Sequence, residues 1–190
     1  MKFLKMLFQL GVIGASCTFL YFGYVHLEGN TRFLKALQEA KNTYESRFLS
    51  GHLRALYPKI EGIDPVETSA DDSVHFFKLK QKEGTPLVVA RVQKDIACES
   101  CKDLDFLLVT DTKGTVQKVK LLSAMEYEGK KVDPTVFLKQ FEGKIFTSPI
   151  VIGKDVEGLK EAPLPAQSLT EAISETLPKI QEKIKQGKIA

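Results

Sequence analysis

Two cysteines three residues apart, in Cys98-Glu99-Ser100-Cys101, are the side chains best spaced for chemistry in this sequence. In an oxidising compartment such a pair closes a small ring, as a structural disulfide or as a dithiol that cycles between states. A cycling dithiol of the thioredoxin type needs its first cysteine at a helix N-terminus, where the thiolate is favoured, and the flanks here predict strand. Two thiolates are also half of a tetrahedral zinc or iron–sulfur site, but the third cysteine, Cys17, lies in a distant apolar run. A c-type haem needs CxxCH, and Lys102 stands where the histidine belongs. His26, His52 and His75 share no ligand spacing such as i and i+4. Asp71-Asp72 and the Glu126/Glu128 pair are explained by solvated turns. No GxSxG or HExxH motif and no glycine-rich phosphate loop occurs.

Charge excludes a further class. The formal net charge is +3, and Lys2 and Lys5 account for most of it. No basic block is present, so nothing supports nucleic-acid binding. A hydrophobic content of 43% with 27% charged residues is that of a globular protein rather than a disordered one.

The elements that position any site are most legible from Asp133 to Leu177. Asp133 can accept a free helical N–H, Pro134 fits a first helical position, and Val136, Phe137 and Phe141 give an apolar stripe that Gly143 ends. A second helix is expected from Ser168, with Glu171 completing a capping box. Between the two helices runs an irregular but apolar segment, the kind of loop on which scaffolds carry function.

The run FLKQFEGK, the irregular stretch after it and the short motif leading into SLTEAI resemble the end of an FMN-binding domain. That family is the periplasmic flavin domain found in subunits of the Rnf complex and of the sodium-pumping NADH:quinone oxidoreductase. The resemblance covers roughly Leu53 to Leu177. In the family a Gly-Ala-Thr-x-Thr/Ser-Ser motif carries FMN on a threonine through a phosphoester. The motif falls here on Ala162, Pro163, Leu164, Pro165, Ala166 and Gln167, and Leu164 stands at the acceptor position with no hydroxyl to esterify. The resemblance therefore implies at most a non-covalent FMN, its phosphate near the helix start beside Leu164, Ala166, Gln167 and Ser168. Pro163 and Pro165 remove two donors, which favours no flavin at all. It also implies an electron-transfer component or flavin-less accessory subunit of a membrane redox complex, rather than a stand-alone enzyme. A thiol–disulfide protein acting through Cys98 and Cys101 is the alternative.

Met6 to Leu27 contains no Asp, Glu, Lys or Arg across 22 residues, enough to cross a bilayer as a helix. With Lys2 and Lys5 before it and Glu28 after it, the expected topology is single-pass in the cytoplasmic (inner) membrane, with the C-terminal domain extracytoplasmic, or periplasmic. Two other readings stay open: a cleaved signal peptide, or a lipoprotein modified at Cys17, since Gly14-Ala15-Ser16-Cys17 is similar to a lipobox.

Asn30 or Thr31 can cap an amphipathic helix whose stripe is Phe33, Leu37, Ala40, Tyr44, Phe48 and Leu49; Gly51 is a candidate interruption and Pro58 its end. This helix packs on the domain or forms a stalk against partner subunits. From Ser73 the period becomes two, predicting strands at Val74–Lys80, Leu87–Lys94, Leu104–Thr110 and Thr115–Leu122. The expected fold is α+β: a small antiparallel sheet flanked by helices and preceded by one transmembrane helix. The expected division is an anchor over 1–29, a helical stalk over 30–58 and an FMN-binding-like domain over 59–190.

Overall fold

The computed structural model describes residues 31–41, 43–66 and 73–187. The expected membrane helix, Cys17 and the Asn30 cap lie outside the described residues. Among the described residues no helix is long and apolar enough to cross a membrane. The chain divides into two compact units, Met1–Leu49 and Ser50–Ala190. In the first, residues 31–41 and 43–49 are helical.

The second unit is α+β. It opens with helical residues 50–56 (α1), and Gly51 lies within this helix rather than interrupting it. A five-stranded antiparallel sheet follows: β1 (Ile60–Pro65), β2 (Val74–Gln81), β3 (Leu87–Lys94), β4 (Leu104–Asp111) and β5 (Val116–Leu121). The strands lie side by side in sequence order, and a separate hairpin pairs β6 (Met125–Tyr127) with β7 (Lys130–Val132). Four strands were expected at nearly these bounds; β1 and the small hairpin are additions. A short helix, α2 (Thr135–Lys139), and a long one of 23 residues, α3 (Pro163–Lys185), complete the unit.

Turn chemistry fixes the register. At the β4–β5 turn the Asp111 carboxylate accepts the N–H groups of Lys113 and Thr115, each at 2.9 Å. These bonds hold the carboxyl below its ordinary range: burial pushes its pKa up, but the bonds from Thr115 and Lys113 outweigh that. A shift in pairing between Val109 and Thr110 marks a bulge one step before the turn.

Both faces of the sheet are apolar. Phe76, Ala90, Phe106 and Leu108 belong to one core cluster with Phe137, Phe141, Leu169, Ile173 and Ile180 from the α2 and α3 regions. The opposite face carries Phe77, Leu79, Val89, Leu107 and Val109, all buried. Alternation therefore gives way to near-continuous hydrophobic runs in β3 and β4, the pattern of strands with neither face in water. On that second face Arg91 donates to both carboxylate oxygens of Asp105, at 3.0 and 2.7 Å, a bidentate pair largely shielded from water.

Helix α3 corrects one expectation. It begins at Pro163, with Ala162 as its cap residue and no side chain capping it; Ser168 lies in its second turn. Proline's fixed φ is already helical and its missing N–H is not needed in a first turn, so Pro163 and Pro165 start the helix instead of delaying it. The Ser168/Glu171 capping box does not form; Glu171 accepts the Gln167 amide at 3.0 Å instead. At α2, Pro134 is the cap residue, and Asp133 accepts the Thr135 N–H at 3.0 Å as its type predicts.

Candidate functional site

The segment from α2 to α3 is irregular in path but held at several points. Phe141 follows α2 into the core, its ring edge-on to Phe137 at 5.4 Å between centroids. Gly143, at φ +75°, turns the chain back to β5: its N–H bonds to the Val116 carbonyl at 2.8 Å, and Val116 returns an N–H to Lys144 at 2.9 Å. The Gln140 side chain then fixes Glu157 from both sides, accepting its N–H at 2.7 Å and donating to its carbonyl at 3.2 Å. Within the loop, Asp155 accepts the Val151 N–H on its carboxylate at 2.9 Å, and Lys144 donates to the Asp155 carbonyl at 2.8 Å. Finally the Ile150 N–H bonds to the Ser174 hydroxyl of α3 at 3.0 Å.

These ties hold the loop open against the first half of α3, leaving a groove of about 870 Å³, within the range of small-molecule sites. One wall is the loop, Ile150–Gly153 and Glu157–Lys160; the other is Pro163, Ala166, Gln167, Thr170 and Glu171. The helical residues recur at i, i+3, i+4, i+7 and i+8, one face of α3. Gly158 lies close against the loop: a Cβ there would sit 3.1 Å from Ile152 Cγ2, so a larger residue would need the Ile152 side chain to shift by a few tenths of an ångström.

Of the residues expected to contact a cofactor, Ala166 and Gln167 line the groove and Leu164 and Ser168 do not. Leu164 is 45% exposed and Ser168 half-buried, on turns of α3 rotated away from the lining face. Thr170, Glu171, Glu157, Lys160 and the apolar loop residues were not anticipated. Their signal was the apolar run Ile150–Ile152 facing the helical face that starts at Pro163, visible only once the helix start is placed there.

The groove is poor ground for an anion. Pro163 and Pro165 have no N–H, and the Ala166 N–H is taken by the Ala162 carbonyl at 3.1 Å. The first turn of α3 therefore offers only the Leu164 N–H, where a phosphate-binding helix start offers several. Two carboxylates, Glu157 and Glu171, line the groove against one cation, Lys160.

Cys98 and Cys101 are joined by a disulfide in the β3–β4 connection. The Cys101 N–H bonds to the Cys98 carbonyl at 3.1 Å, and Asp103 holds the Ile96 N–H at 3.2 Å, so the link is a tight turn without a helix. Neither cysteine lines the groove. Among the described residues no three His, Cys, Asp or Glu side chains cluster to hold a metal ion. Comparison with known protein families, characterised proteins and solved structures gives no match.

Proposed function

We propose that this chain is a membrane-anchored, extracytoplasmic accessory subunit of a membrane redox assembly, built on an FMN-binding-like domain that carries no covalent flavin. The observation that supports it is the start of α3. Leu164 occupies the position where the family resemblance calls for a hydroxyl, and Pro163 and Pro165 strip the first turn of donors. A domain so altered keeps its surface for partners and loses its means of holding a phosphate. The uncharged run Met6–Leu27 supplies the anchor in this reading, with residues 28–190 outside the cytoplasm.

Protein purified from its native membrane is expected to be colourless, to give no flavin fluorescence in a denaturing gel, and to co-purify with a larger membrane complex. A fluorescent band at the mass of the chain would overturn the flavin-less reading. The second reading, a thiol–disulfide protein, is favoured by the joined cysteines. In its favour would be a mixed disulfide with a partner trapped by Cys101→Ser and absent from the Cys98→Ser, Cys101→Ser double variant.

A further inference from the structure

The helical part of the first unit carries an apolar stripe that is open to solvent. Phe33 is 66%, Leu34 60%, Leu37 56% and Tyr44 69% exposed, with Ala40 exposed between them. Phe33, Leu37, Ala40 and Tyr44 follow one another in steps of four, three and four residues. At 100° per residue these four fall within an arc of roughly 60°, and Leu34 borders it. Alternating steps of four and three are the spacing of a two-stranded seam, in which each side chain enters a hole on a like helix.

We infer that this stripe is the seam of a parallel dimer with a second copy of this chain. With Phe33 and Ala40 at d positions and Leu37 and Tyr44 at a positions, Arg32, Lys35 and Glu39 fall clear of the contact. Arg32 and Glu39 take c, and Lys35 takes f, on the far side of the helix. The flanking pair that would meet across the dimer, g to e, is Ala36 with Lys41, so no like charges oppose. The seam closes naturally at its C-terminal end, where Arg47 takes the next d position. The choice of a second copy rests on the anchor reading above. An uncharged run ending at Leu27, six residues before Phe33, places every copy in one plane with one orientation, which is what a parallel seam requires.

The test uses the full chain in its native membrane, in a Cys17→Ser background that leaves the Cys98–Cys101 disulfide in place. Single cysteines are introduced by Leu37→Cys or Ala40→Cys on the seam, and by Lys35→Cys or Glu39→Cys facing away. After oxidation with copper-phenanthroline, the seam variants are expected to give at least tenfold more of the two-chain band on non-reducing gels. Equal yield at all four positions, or no such band from Ala40→Cys, would overturn the dimer. An adduct of another mass from Ala40→Cys would also overturn it, assigning the stripe to a different protein. A carbonate wash of the same membranes separates the two readings. Chain released by the wash yet cross-linked at the seam keeps the dimer and removes the anchor. Chain retained without seam cross-links does the reverse.

Discussion

Thr110 is the one fully buried hydroxyl of the central strands that no group satisfies: its Oγ1 has no partner, among the described residues. A buried polar atom without a bond costs stability, whereas a methyl of the same shape does not. Thr110→Val is therefore expected to raise the unfolding free energy by about 1 kcal/mol, measured by urea denaturation. A loss of stability would mean that the hydroxyl is bonded to water. Asp111, next along the strand, acts in the opposite sense. Its folded pKa lies below the ordinary 3.8, so its contribution is complete above that value and is lost as pH falls through the folded one. Asp111→Asn is expected to be less stable than the natural chain at pH 7, with the gap closing as pH drops below 3.8. A gap that stays constant down to acid unfolding would show that the turn is indifferent to the charge.

At the scale of elements, the groove depends on one side chain that bridges two segments. Gln140 holds both backbone groups of Glu157, and each such bond contributes about 0.5–1.5 kcal/mol net. Gln140→Ala is expected to speed amide exchange across residues 151–158 roughly tenfold while leaving the protection of β3 and β4 unchanged, read by hydrogen–deuterium exchange. Unaltered exchange at Glu157 would show that the loop is held by its other ties. Strands β2 to β5 were legible in the sequence because alternating residues and turn signals agreed there. Strand β1 was not, because Gly62, Asp64 and Pro65 break its apolar pattern and it pairs through its backbone at the sheet's edge. The start of α3 was misread for a related reason. Two prolines look like a loop until the first helical turn, where they fit, is considered, and Ser168 with Glu171 imitates a cap. A five-residue error in that boundary moves Leu164 and Ser168 from the expected site to the flank of a helix whose face is set by Pro163.

For the whole molecule, the sequence was explicit about class and silent about closure. Period-two segments between helical ones imply α+β, and the sheet of the second unit is of that kind. That both its faces are buried does not follow from alternation alone; it follows from β4, whose LDFLLVT leaves almost no side of the strand to water. The order of strands has a consequence in time. Every strand pairs with its neighbour in sequence, so each closure spans a short length of chain and is cheap in entropy. The sheet can thus assemble hairpin by hairpin. Phe76, Phe106 and Leu108 nonetheless wait for Leu169, Ile173 and Ile180, which lie in the last helix. The strand pairs of the second unit are thus local in sequence while the cover of this face is distant: a sheet paired without α3 would leave most of one apolar face uncovered.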